Sequence, residues 1–263
     1  MKVIHKAKEI QNRSEKIRRQ GKTIAFVPTM GFLHEGHLSL MRKGRELGDD
    51  LVISIFVNPT QFSPQEDFES YPRDFERDLE LAGEEGVDAV FTPDNQELYL
   101  DEFQTYVELE KLANHLCGLS RPLFFKGVAT VVAKLFNIVK PHIAIFGEKD
   151  YQQLTVIRQM VRDLNFDVNI IGGPTVREPD GLAMSSRNNY LTAKQRPSAL
   201  TLYKALLKAT ELVKSGVKDA EQIIQEATRL ITSFPETGIE YISICDLGNL
   251  EDLKTIDQPV LMA

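Results

Sequence analysis

Residues 23–37 read TIAFVPTMGFLHEGH, and this stretch decides the fold class. The apolar run at 23–27 predicts a buried strand, and the apolar residues Leu38, Met41 and Leu47 after it follow a helical period. Gly31 and Gly36 sit between the two elements, where small residues allow a tight turn and close approach of the backbone. The stretch is therefore a strand–turn–helix unit, the building block of a parallel α/β sheet.

The same alternation continues along the first two-thirds of the chain. Further strands are predicted at 51–57, 87–91, 142–146 and 166–171, with helices near 75–82, 128–139 and 151–164. Strands that alternate with helices form right-handed crossovers, so we predict an α/β fold with a Rossmann-like, doubly wound parallel sheet. Ligands of such sheets lie outside the carboxyl ends of the strands.

The pattern changes after the Gly172-Gly173-Pro174 turn. Two helices are predicted at 193–215 and 219–233, followed by a strand at 239–244. We therefore expect residues 1–175 to form the nucleotide-binding domain and residues 176–263 to form a smaller α+β domain that acts as a lid.

Composition narrows the class of protein. Of the 263 residues, 42% are hydrophobic and 26% are charged, as in an ordinary globular enzyme, and no segment reaches the roughly 20 apolar residues of a membrane helix. The N-terminus lacks the apolar core of a signal peptide, and Cys117 and Cys245 are expected to be reduced, so the cytoplasm is the expected compartment. The net charge of −7 argues against a nucleic-acid partner.

His34 and His37 lie where the first predicted helix begins. A helix N-terminus attracts phosphate through its free N–H groups and its dipole, and two imidazoles three residues apart can donate to the same phosphate. Two alternatives stay open at this point: two incidental loop histidines, or a zinc site. The zinc alternative has neither the helical i, i+4 spacing nor an evident third ligand.

Three other polar motifs follow predicted strands or the domain boundary. Met184-Ser185-Ser186-Arg187 offers hydroxyls and a guanidinium suited to a lid over a triphosphate. Gly147-Glu148-Lys149-Asp150 places a point charge at a strand end, with Asp150 suited to a ribose hydroxyl or to a helix cap. Asn58, Gln61 and Gln153 are neutral amides that can hold a hydroxy acid by hydrogen bonds. Read singly, each motif also fits an ordinary surface turn.

Together these motifs resemble the nucleotidylyltransferase superfamily, and within it the pantothenate synthetases. The resemblance runs in order along nearly the whole chain. It rests on these segments: Pro28–His37, Phe56–Phe62, Tyr71–Asp74, Gly127–Val132, Phe146–Gln153 and Asp180–Asn188.

The resemblance implies an ATP-dependent ligase that joins (R)-pantoate to β-alanine through pantoyl adenylate and releases AMP and pyrophosphate. It implies His37, His34, Lys149 and Arg187 as catalytic groups, and Gln61, Gln153 and Asn58 as substrate contacts. The implied ATP contacts are Met30, Gly31, Phe32, Leu33, His34, Glu35, Gly36, His37, Gly147, Glu148, Lys149, Asp150, Val176, Met184, Ser185, Ser186 and Arg187. Mg²⁺ is expected with the triphosphate, with Asp74 or Asp78 as candidate contributors, and a homodimer is expected.

Two departures from the family are visible. The family usually has Gly-His-Phe before the Gly-Val of the buried helix, whereas this chain has Leu123-Phe124-Phe125, so no polar contact is expected from that loop. The chain also ends at Ala263 where relatives generally continue, so a shortened small domain is expected. The competing functions are another nucleotidylyltransferase and a non-catalytic nucleotide-binding regulator.

Overall fold

The computed structural model describes all residues from 1 to 263. The strands are β1 (Lys2–Ile4), β2 (Ile24–Thr29), β3 (Asp50–Ile55), β4 (Ala89–Phe91), β5 (Ile143–Gly147), β6 (Asn169–Gly173), β7 (Ile244–Asp246) and β8 (Val260–Met262). The helices are α1 (Ala7–Arg19), α2 (Glu35–Leu47), α3 (Phe75–Glu84), α4 (Asn95–Leu98), α5 (Cys117–Ser120), α6 (Phe124–Val139), α7 (Tyr151–Asp163), α8 (Arg196–Lys214) and α9 (Ala220–Thr232). Short 3-10 turns lie at Pro59–Gln61, Leu112–Asn114, Glu148–Asp150 and Ser186–Tyr190.

Six strands form one sheet in the order β1-β4-β3-β2-β5-β6, and all of them are parallel. From β2 the chain moves outward through β3 and β4 on one side, and it later returns to β5 and β6 on the other. The strand order therefore reverses between β2 and β5, and such a reversal opens a crevice at the carboxyl ends of the two strands. The predicted doubly wound parallel sheet is confirmed.

Helices cover both faces of the sheet, which explains the nearly unbroken apolar run of β2. Ile24 and Phe26 pack into the larger core beneath α1, α6 and α7. Ala25 and Val27 point to the opposite face and pack with Met41 of α2. Because successive side chains of a strand alternate between faces, a strand buried on both sides carries apolar residues at every position.

The remaining elements form a smaller α+β unit. α8 and α9 pack on the antiparallel pair β7–β8, with a core that includes Ala209, Ile223 and Ile244. Cys245 is buried in a separate cluster with Phe125, which ties this unit to the first. The fold class is as predicted, while the division after Thr175 stays a prediction. None of the helices has the length and apolarity to cross a membrane.

The predicted strand at 239–244 is wrong in position. The strand begins only at Ile244, and Ile239 and Tyr241 are more than a third exposed. β7 is confined to three residues because its partner, Val260–Met262, is that short. The pattern also failed to indicate β1, β8 and α1: two are three-residue strands, and α1 buries only Ile10 among its apolar residues.

Candidate active site

The turn between β2 and α2 is held by a carboxylate from outside it. Gly31 and Phe32 have positive φ angles of 84° and 51°, so the backbone here is in the left-handed region. Asp78 of α3 accepts hydrogen bonds from the backbone N–H of Phe32 at 2.8 Å and of Leu33 at 2.7 Å. A Cβ on Gly31 would lie 2.9 Å from the Asp78 carboxylate, so the turn requires glycine there.

The two predicted histidines lie side by side at the start of α2, with ring centroids 4.0 Å apart. The backbone N–H of His34 donates to Nδ1 of His37 at 3.3 Å, and the backbone N–H of Gly36 donates to Nδ1 of His34 at 3.2 Å. Nδ1 is therefore the acceptor in both rings. A neutral imidazole with Nδ1 accepting carries its proton on Nε2, so each ring keeps one N–H donor for a ligand.

Burial keeps these imidazoles neutral. Desolvation, aided by the neighbouring His34 and Lys149, lowers the pKa of His37 to about 3. Desolvation also lowers the pKa of His34, with the Lys149 charge acting in the same direction. At neutral pH both side chains are thus uncharged hydrogen-bond donors in the ligand-free protein.

Residues after β5 face the histidines across the strand-order reversal. The short 3-10 turn at Glu148–Asp150 leads from β5 into α7. Lys149 is partly exposed, with its ammonium 3.4 Å from the Asp150 carboxylate. Asp150 occupies the N-cap position of α7 but its carboxylate makes no capping hydrogen bond, so of its two predicted roles the contact to a ribose hydroxyl stays a prediction. Gln153, one turn into α7, makes no side-chain hydrogen bond within the protein and leaves its amide free.

The segment Met184–Arg187 forms the remaining side of the site. Ser186 donates from Oγ to the carbonyl of Phe32 at 3.2 Å, which joins this segment to the β2–α2 turn. Ser185 accepts from the backbone N–H of Arg187 at 3.2 Å. The Arg187 guanidinium is held by Asp67, with both contacts at 2.8 Å.

Two cavities meet inside this ring of residues. One of about 190 Å³ is lined by both histidines and by residues after β5 and around the Ser185 segment. It contains these predicted contacts: Met30, His34, Gly36, His37, Gly147, Lys149, Asp150, Gln153, Val176, Met184, Ser185, Ser186 and Arg187. The other, of about 160 Å³, is lined by Asn58, Gln61 and apolar side chains of α6. We call them the polar cavity and the amide cavity; His37, Met30 and Gln153 line both.

A model of the pantoate-beta-alanine ligase family matches residues 2–263. The chain belongs to this family. It is 60% identical to the pantothenate synthetase of Desulfatibacillum aliphaticivorans and 55% identical to that of Thermotoga petrophila, over all of this chain and 94% of each relative. The chain is therefore an enzyme of the carbon–nitrogen ligase class.

Solved structures agree with the assignment to the pantoate–β-alanine ligase family. The pantothenate synthetase of Thermus thermophilus superposes with a TM-score of 0.93 at 43% identity, over 99% of this chain and 92% of that one. The pantoate-beta-alanine ligase of Francisella tularensis, complexed with beta-gamma ATP and beta-alanine, superposes with a TM-score of 0.79 at 35% identity. That match covers 92% of this chain and 89% of the other.

Some predicted contacts lie outside the polar cavity of this family member. Glu35 turns away from it and pairs with Arg42 on the surface. Glu148 lines the wider cleft of about 610 Å³ between the β5–α7 region and α8. Gly31, Phe32 and Leu33 do not line the polar cavity: Gly31 and Phe32 line a cavity beside Asp78, and Phe32 and Leu33 line another with Met184 and Ser185. Their backbone shapes the turn, while the polar cavity is lined by its neighbours.

The predicted substrate amides differ in how they are held. Asn58 is buried, and its Oδ1 accepts from Tyr99 at 2.9 Å and Thr60 at 3.0 Å. Its Nδ2 donates to Oε1 of Gln61 at 3.2 Å and to the Gly127 carbonyl at 3.1 Å. Asn58 thus fixes the Gln61 amide, which also donates to the Met30 sulfur at 3.2 Å. A direct contact from Asn58 to substrate stays a prediction.

The loop that departs from the usual family sequence is filled with apolar contacts. Phe125 is buried with Cys245 and Leu250 of the small domain. Phe124 packs beneath the Arg121 guanidinium, which lies 3.7 Å from the ring centroid. These two phenyl rings carry no hydrogen-bonding group, and the absence of a polar contact from this loop to a ligand stays a prediction.

The sequence analysis missed the roles of two residues of the site, Tyr71 and Asp67, and gave Asp78 a different role, as a candidate magnesium contributor. Tyr71 lines both cavities and is almost fully buried. Asp78 holds the β2–α2 turn, and Asp67 holds Arg187. Tyr71 lies in a segment already noted for its resemblance to the family, but the two aspartates act on residues far away in the chain, which no local pattern reveals.

The structure also shows how the carboxylates considered for the expected magnesium ion are placed. No group of three or more His, Cys, Asp or Glu side chains is arranged to hold an ion. Both oxygens of Asp78 accept backbone N–H bonds, and Asp74 accepts from the backbone N–H of Arg77 at 3.3 Å as the cap of α3. The two carboxylates considered as magnesium contributors thus have structural partners, and Asp78 is buried rather than a surface charge.

Proposed function

We propose that this protein condenses pantoate with β-alanine to pantothenate at the expense of ATP, through pantoyl adenylate. The observation that carries the proposal is the pair of neutral imidazoles, each with a free Nε2–H, that lines the polar cavity, with His37 at its junction with the amide cavity. A free carboxylate is a poor acyl donor, and adenylation gives it a good leaving group. The family assignment and the Francisella tularensis ligand complex support the same substrates.

In the first step, a pantoate carboxylate oxygen attacks the α-phosphorus of ATP. A new oxygen–phosphorus bond forms as the bond to the pyrophosphate breaks, so negative charge grows on the α-phosphate oxygens and on the departing group. Hydrogen-bond donors aimed at developing charge are a major source of catalysis, and those of His34 and His37 already have fixed tautomers. Lys149, Ser185 and Arg187 supply donors and positive charge for the outer phosphates, and Ser186 would donate to them only after releasing its bond to the Phe32 carbonyl.

In the second step, the amine nitrogen of β-alanine attacks the acyl carbon. The carbon–oxygen bond to AMP breaks, and the oxygen that came from pantoate leaves with the nucleotide as a phosphate oxygen. The amine loses a proton as the amide forms. The amide cavity adjoins the polar cavity at His37, so the acyl carbon of the adenylate lies at the boundary between the two.

We place pantoate in the amide cavity. Gln153 has a free amide, and Gln61 retains one amide hydrogen after its contact with the Met30 sulfur. Two neutral amides suit the hydroxyl groups of pantoate, since they form hydrogen bonds without attracting the carboxylate away from phosphorus. Apolar side chains of α6, including Val131 and Val132, line the cavity opposite and suit a branched carbon skeleton.

We place the nucleotide along the polar cavity, with Val176 and Met184 beside it. The backbone N–H of Met184 donates to the Val176 carbonyl at 3.0 Å, which joins the two segments that lead into and out of the Asp180 turn. Magnesium would enter with ATP as its complex. It would neutralise charge on the phosphates that the protein donors contact.

We further propose a homodimer in the cytoplasm, with small molecules as the only other partners. The two cysteines are free thiols, which suits a reducing compartment, and the charge of −7 disfavours nucleic acid. Sedimentation of the purified protein at micromolar concentration tests the dimer: a single species of monomer mass would contradict it.

Pantoate-dependent exchange of labelled pyrophosphate into ATP tests the adenylation step by itself. The proposal predicts exchange with ATP, magnesium and pantoate in the absence of β-alanine. Exchange that does not depend on pantoate would indicate another nucleotidylyltransferase. ATP binding with neither exchange nor AMP formation would indicate a non-catalytic regulator.

A further inference from the structure

The Arg187 guanidinium is held by the carboxylate of Asp67, which lies 120 positions away in the chain. Its Nε and Nη2 donate side-on to the two oxygens of Asp67, both at 2.8 Å. This bidentate arrangement fixes the plane of a guanidinium as well as its position. Nη1 has no partner within the protein, and Arg187 lines the polar cavity while paired in this way.

Two tyrosines complete the arrangement. The Arg187 guanidinium carbon lies 5.4 Å from the ring centroid of Tyr71, whose buried ring limits its movement. The Tyr190 hydroxyl lies 3.3 Å from Oδ2 of Asp67 and donates to the Ser70 carbonyl at 3.1 Å. The hydrogen bonds from Arg187 lower the pKa of the Asp67 carboxyl, so it stays ionised at neutral pH.

The loop that carries Asp67 is itself fixed. Glu66, the preceding residue, pairs with Arg121 at 2.5 Å, close to the loop between α5 and α6. Arg73 donates to the carbonyls of Phe68 at 2.9 Å and Tyr71 at 3.0 Å, which closes the loop on itself. Asp67 is therefore presented from a braced segment of the first domain to a residue of the lid segment.

We propose that Asp67 is a positioning residue for the adenylation step: it orients Arg187 so that the free Nη1 edge donates to the phosphates. Asp67 lines neither cavity, so it acts through Arg187 and does not touch the substrate. The inference rests on the proposed phosphate contact of Arg187. A guanidinium already oriented loses less conformational entropy when the nucleotide binds than one that is free to rotate.

A double-mutant cycle tests this. Asp67→Ala and Asp67→Asn are measured by pantoate-dependent pyrophosphate exchange, in the native background and in Arg187→Ala. We expect kcat/KM for ATP to fall about 10-fold or more in the native background, as for the loss of a charge-assisted hydrogen bond. In the Arg187→Ala background the same changes should alter it less than about 2-fold, since the residue to be oriented is gone.

Two further variants and a stability measurement separate a positioning role of Asp67 from a general effect on the fold. Asp67→Glu should recover part of the loss, because it restores a carboxylate to the guanidinium. Glu226→Gln removes the partner of Arg229 on the exposed face of α9 and should leave exchange unchanged. The melting temperature of each variant reports whether the fold is retained, and a fold defect in Asp67→Ala would also lower exchange in the Arg187→Ala background.

An equal loss in both backgrounds, or no loss in either, would overturn the proposal. Tighter ATP binding by Asp67→Asn would overturn it as well, because it would make Asp67 a competitor of the phosphates for Arg187. Full exchange activity in Arg187→Ala alone would instead contradict the proposed phosphate contact of Arg187. That single variant therefore separates a failure of the proposed function from a failure of the proposal for Asp67.

Discussion

The imidazole rings of His34 and His37 lie 4.0 Å apart, and both accept a backbone N–H through Nδ1. This relationship leaves each ring one donor for a ligand: both protons are on Nε2, and neither ring is charged at neutral pH. The same backbone bonds belong to the first turn of α2, whose N–H groups lack helical partners. The same two hydrogen bonds therefore cap the helix and fix the tautomers of both rings.

Substitutions of His37 should show which of its two ring nitrogens donates to the developing charge. We expect His37→Ala to slow pantoate-dependent pyrophosphate exchange by about 100-fold or more, as for the loss of one donor aimed at developing charge. His37→Gln places an amide N–H near the position of Nε2 and should lose less. His37→Asn places its amide near Nδ1 and should be as poor as alanine. Equal activity of the Gln and Asn variants would contradict the Nε2 assignment.

The low pKa of His37 predicts a specific dependence of stability on pH. Its pKa is about 3 in the folded protein and near 6.5 when unfolded, so the unfolded state binds the extra proton between these values. Stability from this residue is present above about pH 6.5 and is lost as the pH falls. We expect a loss on the order of 2 kcal/mol between about pH 7 and about pH 5. Urea unfolding of the native protein and His37→Gln should differ by that amount; parallel pH curves would contradict it.

Gln153 should act on the organic acid and not on the nucleotide. Its free amide lines both cavities, so Gln153→Ala would remove the proposed contact to pantoate. We expect the KM for pantoate to rise about 10-fold, as for one lost hydrogen bond, while the KM for ATP changes much less. Gln159→Ala on the same helix, outside both cavities, is the matched control. An unchanged KM for pantoate in Gln153→Ala would remove the residue from the site.

Asp78 should prove to be an anchor of the β2–α2 turn rather than a metal ligand. Asp78→Ala leaves the N–H groups of Phe32 and Leu33 without their partner, and we expect a loss of about 2 kcal/mol in the free energy of unfolding. Asp74→Ala removes a helix cap and should cost about 1 kcal/mol. Exchange activity of Asp78→Ala should fall at all magnesium concentrations. Recovery of activity at high magnesium would instead identify Asp78 as a ligand.

The parts of the molecule that could be predicted share a physical basis. β2 and β3 are buried on both faces, so continuous apolar runs revealed them, and the polar motifs were placed by the rule for parallel strand ends. β1, β7 and β8 have three residues each and are only partly buried, whereas the equally short β4 is buried at every position and shows as an apolar run. Asp67 and Arg187 are 120 positions apart, and only the folded chain brings them together.

Transfer of an isotope from pantoate to AMP tests the central claim most directly. Pantoate labelled with ¹⁸O in its carboxylate is incubated with the enzyme, ATP, magnesium and β-alanine, and the products are analysed by mass spectrometry. Pantoyl adenylate predicts one ¹⁸O atom in each AMP, pyrophosphate without label, and one pantothenate for each AMP. Unlabelled AMP, or ADP in its place, would contradict the account.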